Sequence, residues 1–244
     1  MAYRFDGKSA LVTGGSRGIG KAIAIGLLNA GAEVYVLGKS EENLKKLKQE
    51  YPEIHTVHAD LTNWDTTRSE VEKLGHIDLL VNNAGIEIKA NFMNTTRETF
   101  EKVIDSNLKG AFNVSQVIAK SMIDRKTGGS IVNISSVDST RPSREAVTYS
   151  ISKAGLDMMT MGMALELGPH QIRVNNVNPT YVPTDMTKDF YADSESYAKM
   201  VECHPLKKLA ELEDVMNAVL FLLSDKASMI TGSSLPVDGG FLIA

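Results

Sequence analysis

Seven short apolar runs recur along this chain, each followed by a stretch of charged or mixed residues. They are SALVTG (9–14), AEVYVLG (32–38), IHTVHAD (54–60), DLLVNNAG (78–85), GSIVNISS (129–136), IRVNNVN (172–178) and SLPVDGG (234–240). Strands that read as apolar runs, with helices between them, belong in a parallel sheet covered on both faces. The intervening patterns predict helices running to about residue 30, from Ser40 onward, and over about 64–74, 96–124, 148–168 and 212–223. The expected fold is therefore α/β and doubly wound. No linker rich in Pro, Gly or Ser divides the 244 residues and no repeat is visible, so one domain over 1–244 is expected. The least regular stretch, about 180–208, follows the sixth strand. In such folds ligands lie beyond the C-terminal strand ends, which makes this stretch a candidate substrate lid.

The first run leads straight into TGGSRGIG (13–20). A nucleotide-triphosphate loop fits G-x-x-x-x-G-K from Gly15 to Lys21, but the next residue is Ala22, which offers no hydroxyl to magnesium. The G-x-G-x-x-G spacing is also absent. T-G-x-x-x-G-x-G fits, with Gly14, Gly18 and Gly20 in place. A glycine loop that closes a strand and opens a helix brings backbone N–H groups to a pyrophosphate, and that context favours a dinucleotide.

The end of the second strand bears on which dinucleotide. NAD sites carry an acid there that accepts from the ribose 2′-hydroxyl. Here the residues are Gly38 and Lys39, and Arg17 stands in the glycine loop. Two cations and no acid favour the 2′-phosphate of NADP(H). The formal net charge of −4 argues against nucleic acid as a partner. Lys45, Lys46 and Lys48 stand among Glu41, Glu42 and Glu50, as on a solvated helix face. A single cysteine, Cys203, excludes an internal disulfide and suits a reducing compartment. No leader pattern opens the chain and no apolar run approaches membrane-spanning length, so a cytoplasmic protein is expected.

TYSISKAG places Tyr149 and Lys153 four residues apart, on one helix face. A phenol has a reference pKa of about 10, and a nearby ammonium is expected to lower it into the range useful for proton transfer. Ser136 ends the fifth strand, where its hydroxyl can bond a reacting oxygen, and Asn107 falls in the long helix. His55 and His58 belong to one strand, and no cysteine or acid completes a zinc set with them, so no metal is expected. Met158, Met159, Met161 and Met163 read as core or subunit-interface packing. Ala154, Gly155, Gly162 and Ala164 on the same helix suit close helix contact.

TGGSRGIG, NNAG (82–85), Asn107, ISS (134–136), YSISK and NPTYVPTDM occur in one order along the chain. This resembles the short-chain dehydrogenase/reductase family over essentially the whole length. The resemblance implies a Rossmann fold with a seven-stranded parallel sheet. It implies that Tyr149 is the general acid in carbonyl reduction and Ser136 orients the substrate oxygen. Lys153 would tune the phenol and hold the nicotinamide ribose, and Asn107 would hold a proton-relaying water. Cofactor contacts would come from Gly14, Ser16, Arg17, Gly18, Ile19, Gly20, Lys39, Asp60, Leu61, Asn83, Ala84, Gly85, Tyr149, Lys153, Pro179, Val182 and Thr184.

The short segment 60–85, together with MALELGPHQIRVNNVNPT and FLLSDKASMITGSSLPVDGGF, is similar to the branch holding dicarbonyl/L-xylulose reductases and related tetrameric carbonyl reductases. That implies an NADPH-dependent, homotetrameric enzyme acting on a small carbonyl or sugar substrate. Substrate contacts are expected from Ser136, Asp138, Ser143, Ala146, Tyr149 and Tyr191, with Tyr191 as an aromatic wall in the lid. The alternatives are a 3-oxoacyl-carrier-protein reductase, a steroid or retinoid reductase on the same fold, and a non-catalytic NADPH-binding regulator.

Overall fold

The computed structural model describes residues 3–244. Seven strands form one sheet: β1 (Ser9–Thr13), β2 (Glu33–Gly38), β3 (His55–His58), β4 (Leu79–Asn82), β5 (Gly129–Ile134), β6 (Ile172–Pro179) and β7 (Ser234–Val237). Their order is β3-β2-β1-β4-β5-β6-β7, and every pairing is parallel. Val12 lies opposite Val36 on one side and Val81 on the other. The order reverses between β1 and β4, and the crevice at such a switch point is where this architecture binds ligands.

Alternate residues of each strand feed two apolar layers. Val12, Val34, Val36, Val81 and Val132 face one layer, while Leu11, Leu37, Leu80 and Ile131 face the other. The first layer is closed by Ile23 and Leu27 of α1 (Gly18–Asn29), Leu44 and Leu47 of α2 (Glu41–Glu50), and Val215 and Val219 of the helix Leu212–Leu223. The second is closed by Val71 of α3 (Trp64–Glu72) and by Val114, Ile118 and Met122 of a later helix. Each such side chain contributes about 1.5–3 kcal/mol on burial. Helix starts follow local chemistry. Ser40 accepts from the Asn43 N–H, with Glu41 and Glu42 in the first turn of α2, and Asn63 caps α3 in the same way.

The segment expected as one long helix is interrupted. Thr96 caps α4 (Arg97–Ile104), a wide π turn follows at Asp105–Lys109, and α5 (Gly110–Arg125) continues from it. Asn107 sits in the middle of the wide turn. The chain then enters α6 (Val147–Leu167), which ends in a tight turn at Gly168–His170.

The stretch 180–208 is more regular than expected. It holds α7 (Lys188–Ala192) and α8 (Ser194–Glu202), the second capped by Asp193, before α9 (Leu212–Leu223). Helices this short carry no long apolar period, so pattern alone misses them. Aromatic contacts tie the stretch together: Tyr181 stacks on Phe190 at 4.1 Å, and Phe190 meets Tyr191 edge-on at 5.4 Å.

On α6 the small and methionine residues separate. Ala164 is buried against the sheet and Met163 is half-buried, whereas Met158 and Met161 are exposed, as are Ala154 and Gly162. Ile151, Met158 and Leu165, seven residues apart and all exposed, make one outward stripe. Among the described residues, no helix is long and apolar enough to cross a membrane.

Candidate active site

The C-terminal ends of the strands open into one cleft of about 760 Å³. Its floor is the glycine loop. Gly14 has φ +64°, and a Cβ added to it would lie 2.8 Å from the Ala84 backbone. A side chain at Gly20 would collide with the Gly14 carbonyl and the Asn83 amide. These close approaches lay the loop flat against the end of β4, where Asn83 donates to the Thr13 and Gly14 carbonyls at 3.0 and 3.1 Å. The N-terminus of α1 opens from this loop with no side chain capping it, so its N–H groups are free to meet an anion.

Gly14, Ser16, Arg17, Gly18, Ile19, Lys39, Asp60, Leu61, Asn83, Ala84, Gly85, Pro179, Val182 and Thr184 all line the cleft. Gly20 does not; it lies beneath the loop and permits the close packing just described. The two expected phosphate cations already have partners. Lys39 Nζ lies 2.6 Å from Asp60 Oδ2, and Arg17 Nη1 lies 3.1 Å from Asp185 Oδ2. Burial raises the Asp60 carboxyl, but Lys39 and the two Thr62 donors outweigh it and hold the group below its ordinary value.

At the other end stand Ser136, Tyr149 and Lys153. β5 delivers Ser136, and α6 presents Tyr149 and Lys153 one turn apart. Lys153 is 4% exposed; its ammonium donates to the Ile134 carbonyl at 2.7 Å and lies 5.5 Å from the centre of the Tyr149 ring. Loss of hydration pushes its pKa down to about 8.

The phenol departs from the sequence expectation. Burial, then the carboxylates of Asp138 and Glu87, push Tyr149 well above the ordinary phenol value, and the Ser136 hydroxyl offsets only part of the rise. A Tyr-x-x-x-Lys spacing reveals the ammonium but neither the burial nor the two acids, so it gives the wrong sign.

Asn107 is buried behind this group rather than in the cleft wall. Its amide donates to the Ile86 carbonyl at 2.9 Å and to Ser152 Oγ at 3.1 Å, while its oxygen accepts from the Ile86 N–H at 2.8 Å. A Cβ on Gly85 would sit 3.3 Å from Asn107 Oδ1 and 3.6 Å from Lys153 Nζ, so that glycine keeps the gap between them open. Ser106, its neighbour in the π turn, reaches the cleft instead.

The expected substrate contacts divide. Asp138 and Ser143 line the cleft, and the Ser143 hydroxyl donates to Asp138 Oδ1 at 2.9 Å. Ala146 is buried at the start of α6 and faces away. Tyr191 is also outside the wall; its hydroxyl donates to the Tyr181 carbonyl at 3.3 Å. Tyr181 supplies the aromatic surface that Tyr191 was expected to give. Glu87 is a further lining residue that pattern reading passed over. Its place just beyond β4, past NNAG, is the signal that could have found it. Among the described residues, no cluster of His, Cys, Asp or Glu is arranged to hold a metal.

A family model described as enoyl-(acyl carrier protein) reductase matches residues 14–242. The D-erythrulose reductase of Gallus gallus is 47% identical over 240 residues, covering 98% of each chain. The chain belongs to the short-chain dehydrogenase/reductase family. Carbonyl reductase [NADPH] 2 of Sus scrofa is 44% identical over 99% of both chains, and L-xylulose reductase of Mesocricetus auratus is 44% identical over all of both. Among solved structures, a gluconate 5-dehydrogenase from Burkholderia cenocepacia in complex with NADP and tartrate superposes with TM-score 0.93. It is 30% identical, with coverage of 100% of this chain and 98% of that one.

Proposed function

We propose that this protein is an NADPH-dependent carbonyl reductase of ketoses and α-dicarbonyls. The observation that carries this reading is a half-buried phenol beside Ser136 and Lys153, in a cleft floored by a dinucleotide loop. The names of its family relatives, an erythrulose reductase, a xylulose reductase and an NADPH carbonyl reductase, support the same class.

The cleft fits the cofactor on this chain's own features. The glycine loop and the uncapped end of α1 suit the pyrophosphate, Arg17 and Lys39 suit a 2′-phosphate, and Gly38 brings no acid to repel it. When bound, the reduced nicotinamide supplies a hydride. Tyr149 gives its proton to the carbonyl oxygen as that oxygen gains charge, the task of a general acid. A phenol raised above its usual value stays protonated at neutral pH and is ready for this step. Ser136 Oγ bonds the same oxygen and fixes its orientation. Lys153, anchored on the Ile134 carbonyl, sets the distance between α6 and β5 and places positive charge beside the phenolate that forms. Asn107 is a positioning residue that pins Ile86 and the cleft wall next to Lys153.

The segment 180–208 acts as the lid of this cleft within a single domain. The exposed stripe of Ile151, Met158 and Leu165, with Phe112 on α5, supports a homotetramer. The lone cysteine, Cys203, fits a cytoplasmic setting.

The test is NADPH oxidation with L-xylulose, D-erythrulose, diacetyl, an acetoacetyl thioester and an aromatic ketone, for wild type and Tyr149→Phe. Ketose or diacetyl turnover is expected, with kcat falling at least about a hundredfold in the variant and NADPH affinity near wild type. Preference for the thioester or the aromatic ketone overturns the substrate class. Near wild-type turnover by the variant overturns the role of Tyr149.

A further inference from the structure

Two acids in the wall of the cleft enter the mechanism above only through their charge on Tyr149. Glu87 follows the turn after β4, and Asp138 lies in the short turn Val137–Ser139 after β5. Both are half-buried: loss of hydration and then the Asp138 charge raise Glu87, and both carboxylates raise Tyr149 and Tyr181. Among the described residues neither takes part in an ion pair. Among the described residues the Glu87 carboxylate has no hydrogen-bond partner, and the Asp138 carboxylate accepts only from the Ser143 hydroxyl. Lys89 acts on Glu87 through space but is exposed. Of the other cations of the cleft, Lys153 is anchored on the Ile134 carbonyl beside Tyr149, and Arg17 and Lys39 lie at the opposite end. The wall formed by the two acids is therefore rich in acceptors, with spare lone pairs and no cation bonded to either carboxylate.

A carboxylate only accepts hydrogen bonds, so a molecule that satisfies this wall must bring donors. The hydroxyls flanking a ketose carbonyl are such donors, and bonds from them to an ionised acid are the stronger, charge-assisted kind. A carbonyl compound carrying its own carboxylate or phosphate brings like charge against two half-buried acids. Resting on the reductase reading above, we propose that Glu87 and Asp138 select substrate by charge. They bond the hydroxyls of an uncharged polyhydroxy ketone and turn away ketones that carry an acid group.

This separates two substrate classes of similar size and shape, ketoses and keto-sugar acids. The experiment compares kcat/KM for D-erythrulose and L-xylulose with that for 5-keto-D-gluconate, and adds 1-amino-1-deoxy-D-fructose as a cationic ketose. Wild type, Glu87→Gln, Asp138→Asn and the double variant are measured, with the NADPH dissociation constant reading correct folding at the far end of the cleft. Wild type is expected to favour the neutral ketoses over the keto acid at least about a hundredfold. In the double variant the ketose value falls about tenfold and the keto-acid value rises, so the ratio collapses to below about tenfold. Ketose turnover with a ratio that the double variant leaves unmoved overturns this proposal alone. So does a wild type that rejects the cationic amino ketose as strongly as it rejects 5-keto-D-gluconate, since a negative wall attracts an ammonium group. Absence of turnover with every carbonyl brings down the reductase reading and this proposal with it.

Discussion

Lys39 meets Asp60 at 2.6 Å across the ends of β2 and β3, so the cation best placed for a 2′-phosphate is held by a carboxylate of the neighbouring strand. The lysine side chain is 72% exposed, and an exposed pair of this kind is worth at most about 1 kcal/mol. A doubly charged phosphate can therefore displace the carboxylate. Lys39→Asp removes the cation and sets two acids side by side. KM for NADPH should rise roughly ten- to a hundredfold, or about 1.4–2.8 kcal/mol, with NADH affected far less. Steady-state kinetics with both cofactors at two ionic strengths checks this, and salt should weaken the wild type more than the variant. A parallel loss with both cofactors would show that Lys39 supports the fold instead.

The Arg17–Asp185 contact joins the glycine loop to the segment 180–208. Cofactor and substrate together should slow amide exchange across that segment, because they fill the cleft on which Tyr181, Val182 and Thr184 border. Hydrogen-exchange mass spectrometry of the free and the doubly liganded protein is the measurement. Identical protection in the two states contradicts a lid.

Lys153 predicts a pH dependence of stability. Its pKa is about 8 in the folded chain and about 10.4 when unfolded, so the unfolded state holds more protons between those values. Wild-type stability attributable to this group therefore rises as pH increases from about 8 to 10.4, and is fully lost below 8. Lys153→Met removes the titration. The variant's unfolding free energy relative to wild type, from denaturant titrations, should be most favourable at pH 7 and decline by pH 10, over a span of about 3 kcal/mol. A difference that does not vary with pH would show that the ammonium is well solvated.

The stripe of Ile151, Met158 and Leu165 runs outward along α6. If this face joins subunits, Met158→Glu should lower the mass seen by sedimentation at micromolar concentration while leaving the far-ultraviolet circular dichroism unchanged. A wild type that sediments as a monomer removes the basis for this expectation.

Much of the fold was legible because the central strands β1 and β4 are buried on both faces and α2, α3, α4 and α8 carry ordinary side-chain caps. Ser40 shows this well: its hydroxyl starts α2 where the sequence predicts it to. The cofactor floor was legible for a related reason, since Gly14 and Gly20 answer to steric demands that no other residue meets. The substrate end was harder. Tyr181 and Tyr191 are equally aromatic in the sequence, and only the stacking of Phe190 on Tyr181 decides which faces the cleft. Glu87 looks like any loop acid until β4 and β5 are set side by side. The direction in which Tyr149 is shifted depends first on its loss of hydration and then on charges 11 and 62 residues away along the chain, Asp138 and Glu87, none of which local spacing encodes.

The wide turn at Asp105–Lys109 has a bearing on helix phase. An ordinary helix advances 100° per residue, so one surplus residue rotates everything beyond it by about that angle. The rod can thus serve two clients that lie in different directions: α4 leans on α6, while α5 packs on α3 and β4. Excising one residue from 105–109 would bring the two stripes back into phase. Then either α4 would lose α6 or α5 would lose the sheet, and the backbone at Ile86 would lose its clamp in both cases.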